Sequence, residues 1–437
     1  DALTNGDIEE LTEYGVTLKV RLVRFQNHLG NGITDPFIEN NTGCAAEDGV
    51  IMWQSDGDVV KELELVGTPQ TPGSYTKDNV RYLQFKVDQN TICQNVTLIA
   101  LRNASGTIMW SWQIWTTNDP ALTQGSIEVK NFENKSYKFL PISNIGFIEG
   151  WTYLPRKSME ITLQQDGGRT ITLNVEQPQV EQQPFNALYQ FGRKDPTCSK
   201  ESVYYFNSAI IDKPISTYGP VSPGEPGEVT LASYIQNPCT FYMFNLVPKI
   251  NFGLTMSYPY RNLWSGKNCN EGAQDQDATN IKTVYDPSPI GYKVPAGKAF
   301  TGFTMTGKNL FGNNITSTTE PFSPEKVNGY YDRSGNAFFY KVPGVGHTTT
   351  GGETIRFTCT GIRAGGSGRV SSRNQGWYYS ANTHNGSADK SKPYLLNFKF
   401  SSGFAEMQEL RPFSDAGHNA HGVRPVIDPT MPSNPMQ

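Results

Sequence analysis

The sequence predicts a β-dominated α+β protein, and three observations carry that expectation. Gly (42), Pro (28), Tyr (21) and Phe (23) are plentiful while only 18% of residues are charged, which suits turn-rich sheets better than helix bundles. Apolar residues recur at every second position in segment after segment, the period of a half-buried strand. Strands never alternate with long helical patterns, so a doubly wound parallel sheet is disfavoured.

The elements follow in chain order. "GVTLKVRLVRF" sets Val16, Leu18, Val20 and Leu22 against Thr17, Lys19 and Arg21, and "VIMWQS", "VVKELELVG" and "YLQFKVD" repeat the pattern. "NVTLIALRNASGTIMWSWQIW" reads as a hairpin that turns at Asn103 to Gly106. On its second arm Trp110, Trp112 and Ile114 share one face, expected to be core, because each buried ring removes on the order of 150–250 Å² from water. Trp115 lies on the opposite face and is expected to be the freer ring. Residues from about 15 to 117 thus read as an antiparallel β-sandwich. The segment before it, Asp1 to Gly15, is a candidate donor strand or a disordered extension.

"TTNDPALTQG" breaks the period with Pro120 and Gly125 and marks a domain boundary. "SMEITLQQDGGRTITLNVEQ" is a hairpin with Ile161 and Leu163 facing Ile171, Leu173 and Val175 across Asp166-Gly167-Gly168. "QPFNALYQFGRKDP" predicts a short helix from Phe185, Leu188 and Tyr189, with Gly192 at its stop. "VPAGKAFTGFTM" predicts a weaker helix interrupted by Gly297 and Gly302. "GYYDRSGNAFFYKVP", "ETIRFTCTGIR", "GWYYSANT", "KPYLLNFKFSS" and "HGVRPVI" return to strands. Among them the Gly- and Ser-rich stretch from Ile362 to Gly376 reads as a long irregular loop of the kind that carries binding surfaces.

Bulk charge excludes some functions. The net charge is −4 with scattered Lys and Arg, so no basic stripe meets phosphates and a nucleic-acid partner is disfavoured. No apolar run reaches the roughly eighteen residues of a membrane helix. The start lacks a signal peptide, as in a chain already trimmed. Six cysteines occur without C-x-x-C pairs, which removes support for a zinc ribbon; Cys44 and Cys93 could bridge within the first region or remain free. "HNAH" places His418 and His421 at i, i+3 without a catalytic Glu, and "DQDATN" offers Asp275 and Asp277 as calcium-loop oxygens without the distal Glu. No metal or other cofactor is therefore expected. No nucleophile elbow, P-loop or dinucleotide fingerprint is present. Trp151, Tyr153, Trp264, Trp377, Tyr378 and Tyr379 stand beside polar residues, where rings either stack on sugars or pack beneath their own loops.

Several of these segments, taken in order, resemble one family. "DGVIMWQSD", "GTIMWSWQIWTTNDP", "ALYQFGRKDP", "NLWSGKN" with "KTVYDPSPIGYKVP", and "GWYYSANT…KPYLLNFKFSS…GHNAHGVRPVID" are similar to Bacteroidetes surface proteins with the major-paralogous (FISUMP) domain, grouped with fimbrillin-like lipoproteins. The resemblance runs from about Gly49 to Asp428. It implies an immunoglobulin-like sandwich over residues 1–117, then a domain over 118–437 similar to the C-type-lectin-like fold of formylglycine-generating proteins, with few short helices and a Pro-rich tail. It further implies an exported cell-surface protein, lipid-anchored at the outer membrane before trimming. Three departures stand out. Ser288 replaces the cysteine of the family's "DPCPPG", Leu140 to Gly150 replaces its "MDRNLGA", and no cysteine follows Cys359, so the oxidase chemistry of formylglycine-generating enzymes is not implied. The tripeptides of calcium-dependent lectins are absent as well.

The functional expectation is a non-enzymatic surface protein that binds a glycan or host protein, an adhesin or fimbria-associated tip component. Its site would be Trp377, Tyr378, Tyr379 and Trp264 for stacking and Arg193 for bidentate hydrogen bonds. The alternatives are an architectural subunit meeting other fimbrial subunits, or an enzyme on a sulfatase-modifying-factor-like scaffold. In the architectural case Arg193, Lys194 and Asp195 serve as internal ion pairs, with Arg424 in a similar role.

Overall fold

In the computed structural model the chain is β-dominated, built from several small sheets. The structure describes residues 9–429 apart from short breaks and the longer stretches 21–25, 118–124, 151–156, 178–184, 199–203, 212–215, 219–229, 243–262, 266–279, 304–328, 342–353, 384–392 and 413–418. Three sequence candidates fall outside the described residues: Trp151 and Tyr153, the pair Asp275 and Asp277, and His418.

The first large sheet has the order Ala209–Ile211, Tyr204–Phe206, Asp48–Gln54, Asn95–Arg102, Ile108–Thr116. The expected hairpin forms, pairing Ile99 with Trp112 and Val96 with Trp115, and Gly106 takes the left-handed turn at φ 79°. On one face lies the hairpin Val60–Val66/Tyr82–Val87, whose Leu65 and Leu83 pack on Cys44, Ala46, Leu101 and Met109. The opposite face carries Trp53, Val96 and Leu98 into the main core, together with Tyr189, Trp264, Trp377, Tyr379 and Val423. That core, and the pairing of Tyr205 with Gln54, both cross the expected boundary at 117/118. Within the N-terminal region, Glu9–Glu13 pairs antiparallel with Val16–Val20.

The expected faces of Ile108–Thr116 are reversed. Ser111, Gln113 and Trp115 point to the second half of the chain: Trp115 Nε1 donates to the Phe147 carbonyl at 3.1 Å, and Tyr189 Oη donates to Gln113 Oε1. Trp112, assigned to the core, is 38% exposed, because the opposite face is covered only in part by the small hairpin. Trp110 still reaches the core, tilted 51° against Tyr285.

The second sheet runs Thr197–Cys198, Ala187–Gln190, Ala420–His421, Ile362–Arg363, Val370–Ser371. Here the predicted helix is overturned: Ala187–Gln190 is a strand with all four residues buried and partners on both edges. Complete burial makes every position apolar-tolerant, so the helical spacing of Phe185, Leu188 and Tyr189 carried no information. Gly192, read as a helix stop, takes φ 84° in the turn closed by Arg193 N–H on the Gln190 carbonyl at 3.0 Å. The 362–376 stretch contains the strand pair Ile362–Arg363/Val370–Ser371, tied by Arg363 Nη1 to the Gly368 carbonyl (2.6 Å) and by Gly365 N–H to Asn419 Oδ1 (2.7 Å).

A third sheet joins Gln375–Thr383, Pro393–Ser401 and Phe404–Glu406, with Leu410–Pro412 also on Pro393–Ser401. A fourth joins Tyr292–Lys293, Val426–Ile427, Ser136–Phe139 and Ile127–Lys130. Gly297–Phe303 is a 3₁₀ helix rather than an α-helix. A helix unforeseen in the sequence, Leu231–Gln236, starts at Thr230, whose Oγ1 accepts the Ser233 N–H at 3.0 Å. Cys44 takes no disulfide; its sulfur accepts from Asn27 Nδ2 at 3.4 Å, so the contemplated Cys44–Cys93 bridge does not form.

Candidate functional site

The five residues expected to meet a ligand are all interior. Relative exposure is 6% for Trp377, 0% for Tyr378, Tyr379 and Trp264, and 4% for Arg193. Trp377 and Tyr379 extend to one side of Gln375–Thr383 and Tyr378 to the other, and both sides are covered. The strand is held by reciprocal bonds to Gly422: Gly422 N–H donates to the Trp377 carbonyl (2.9 Å) and Tyr379 N–H to the Gly422 carbonyl (3.0 Å). A Cβ on Gly422 would stand 2.8 Å from Thr360 Cγ2, and one on Gly376 would enter the Phe398 ring, so both glycines are demanded by close approach.

Four of the five come together. His421 stacks on Trp377 (centroids 5.4 Å, 18°) and meets Tyr379 edge-on at 4.6 Å. Trp264 packs on Phe191 at 5.2 Å and on Tyr379 at 5.6 Å, and its Nε1 donates to the Arg193 carbonyl at 3.0 Å. Tyr378 belongs to a separate cluster, edge-on to Phe357 at 5.0 Å with its hydroxyl donating to the Thr358 carbonyl at 2.8 Å.

Arg193, Lys194 and Asp195 form a buried charge centre. The Arg193 guanidinium lies over the Tyr234 and Tyr242 rings at 4.7 and 5.1 Å, and donates to the carbonyls of Asn237 (3.2 Å), Pro238 (3.3 Å) and Thr240. Those carbonyls directly follow the helix Leu231–Gln236, so Arg193 caps its C-terminal end. Lys194 Nζ donates to the Ser111 carbonyl (2.9 Å), to Ser111 Oγ and to Asp195 Oδ1 (2.7 Å), and stands 4.5 Å from the Trp110 ring. Ser111 Oγ also donates to Asp195 Oδ1 at 2.6 Å. Burial pushes the Lys194 ammonium below its usual pKa, and the Asp195 carboxylate opposes that push. The centre thus ties three parts of the chain: the turn after Ala187–Gln190, the strand Ile108–Thr116 and the helix.

This centre has little room for chemistry on a ligand. The recess beside it, lined by Gln190, Arg193, Asp195, Thr197, Cys239 and Thr240, holds about one water molecule, far less than a sugar ring. Burial raises the Cys239 thiol to about 12, so at neutral pH it is a thiol and not a nucleophilic thiolate. His421, half of the candidate metal pair, is 0% exposed between two rings. Arg424 is likewise sealed, donating to the carbonyls of Leu140 (2.8 Å), Pro141 (3.2 Å) and Arg356, with Phe357 4.6 Å beneath its guanidinium. The surface placement expected of these rings is therefore corrected: Trp264, Trp377, Tyr378 and Tyr379 pack in the core.

Among the described residues, the hairpin Lys157–Gln164/Thr170–Gln177 gathers six exposed large apolar side chains on two paired strands. Its register places Met159 opposite Val175, Ile161 opposite Leu173 and Leu163 opposite Ile171. All six share one face, and all are 37–62% exposed. The other face carries Ser158, Glu160, Thr162, Gln164 and their partners Thr170, Thr172, Asn174 and Glu176. Neither strand belongs to a larger sheet among the described residues. The alternation made this aliphatic face legible in sequence; its exposure was not. The chain matches no family model, no curated protein and no solved structure.

Proposed function

We propose that this protein is a non-enzymatic, architectural subunit of a cell-surface assembly that docks onto protein through the aliphatic face of its 157–177 hairpin. The observation that carries the reading is the pairing of that exposed face with a core into which Trp264, Trp377, Tyr378 and Tyr379 are locked. Aliphatic side chains on one face of a pleat suit another sheet or an apolar protein surface, whereas sugars are held by aromatic platforms and convergent hydrogen-bonding groups. The finer arrangement in this reading, an immunoglobulin-like sandwich followed by a lectin-like domain, rests on the FISUMP resemblance. So does an exported, lipid-anchored, fimbria-associated setting. No helix among the described residues is long and apolar enough to cross a membrane.

The test is a benzophenone-bearing residue in place of Leu173 in the full chain, irradiated on the producing cell, with adducts identified by mass spectrometry. Protein adducts that disappear when Ile161 is also changed to Asp support the reading. Lipid adducts alone, glycan adducts alone, or none overturn it. A glycan array probed with and without chelator gives the second arm: binding that survives Leu173→Asp returns the function to glycan recognition.

A further inference from the structure

The strands of the 157–177 hairpin pair along eight positions, yet among the described residues the hairpin is a two-stranded unit, with residues 158–176 exposed on both faces. An isolated hairpin of that kind is marginal in water, and it gains stability when an apolar face packs on a second layer. The six aliphatic side chains expose on the order of 550 Å² of apolar surface, as much as the largest patch on a typical monomer.

We propose that a second copy of this chain covers that face, with two hairpins stacked across a two-fold axis into a four-stranded sandwich. The inference rests on the docking reading above and names its occupant. Four features select a second copy. The face is aliphatic at three successive cross-strand pairs, so two such faces can pack on each other at the roughly 10 Å spacing of stacked sheets. The six aliphatic positions between the terminal Lys157–Gln177 pair and the turn are uncharged, and the carboxylates of Glu160 and Glu176 are on the outer face, so stacking the aliphatic stretch brings no like charges together. Two copies would bury on the order of 1,100 Å², just above the roughly 1,000 Å² that a specific interface needs. A two-fold contact is also closed, using the same patch on both partners and leaving no complementary surface to propagate. A bilayer fits less well: the turn Gln165 to Arg169 is polar and charged, and none of the six aliphatic positions is a Trp or Tyr of the membrane-interface kind.

The test is sedimentation velocity of the full chain from about 1 to about 100 µM, the range over which a small interface of this kind saturates. The expected result is a concentration-dependent dimer. Leu173→Asp, which would bury two unpaired carboxylates at the contact, should weaken it at least ~100-fold. Asn174→Asp, on the outer face of the same strand, should leave the dimer unchanged, and circular dichroism of both variants separates lost contact from lost fold. A dimer that survives Leu173→Asp overturns the proposal. A monomer that binds a hydrophobic dye, with the dye lost in Leu173→Asp, overturns self-association but keeps docking to another protein. A monomer that binds no dye overturns both readings, because the face is then covered. Co-sedimentation of the monomer with phosphatidylcholine vesicles overturns both in favour of a lipid surface.

Discussion

Trp264 is the sharpest test of whether the ring cluster is core or binding surface. It is 0% exposed, packs on Phe191 and Tyr379, and donates Nε1–H to the Arg193 carbonyl at 3.0 Å. Replacing a buried Trp by Ala costs about 3–5 kcal/mol in lost transfer energy and residual cavity. The orphaned Arg193 carbonyl adds about 1 kcal/mol, so Trp264→Ala should destabilise by about 4–6 kcal/mol, a large share of the roughly 5–15 kcal/mol that holds a typical domain. Trp264→Phe keeps a ring but loses the N–H and part of the volume, and should cost about 2–3 kcal/mol. Urea unfolding followed by far-ultraviolet circular dichroism reads both as shifts of midpoint at constant slope. If Trp264→Ala moved stability by less than about 1 kcal/mol, as surface substitutions do, the ring would not be core and the packing argument would fail.

Further outcomes follow from the other buried groups. Asp195→Asn leaves the Lys194 ammonium buried beside Ser111 without its counter-charge and should cost about 3–5 kcal/mol in urea unfolding at neutral pH. That loss should shrink at alkaline pH, because the depressed Lys194 pKa lets the side chain become neutral. Arg424→Lys keeps the charge but not the planar fork over Phe357 that serves three carbonyls, and should cost about 2–4 kcal/mol by the same assay. His28 is 1% exposed, and burial lowers its pKa below 6.5, so the unfolded chain takes up a proton more readily. Its contribution is therefore complete above pH 6.5 and declines as pH falls through the lowered value. The stability difference between wild type and His28→Gln, measured between pH 5 and 8, should grow with pH; a difference that grows toward acid would refute the assignment.

The legible elements are those with one wet face. Tyr82–Val87 alternates exposed and half-buried residues along its whole length, and Val60–Val66 does so after its buried first residue; both strands were evident from period two alone. The same rule found the 157–177 hairpin, because its polar face keeps the alternation clean even though its apolar face is uncovered. The rule is silent on which side of an alternating strand the rest of the chain will cover. Trp112 and Trp115 were interchanged for that reason: Ser111 and Gln113 look like a solvent face in sequence, yet they are the side that Lys194 and Tyr189 reach across to bond.

The ring cluster was misplaced by a related cause. Trp377, Tyr378 and Tyr379 were expected to face a ligand because polar residues stand beside them, but Ser380 and Asn382 on that strand and Asn397 on its neighbour are each 0% exposed. Ser380 Oγ donates to the Tyr394 carbonyl (3.0 Å), Asn397 Nδ2 to the Gly376 carbonyl (3.1 Å), and Asn382 Oδ1 accepts the Gly297 N–H (2.7 Å). Each supplies a backbone group in the interior with the partner that water would otherwise provide. Arg193 and Arg424 do the same with guanidinium groups, satisfying three carbonyls apiece. A fold assembled from many short strands ends more ladders in its interior than one long sheet does, and so needs more such partners. Polar residues beside aromatic ones are the mark of that need, which is why the segments most suggestive of a binding site are the ones the fold seals, while the plain aliphatic hairpin faces outward.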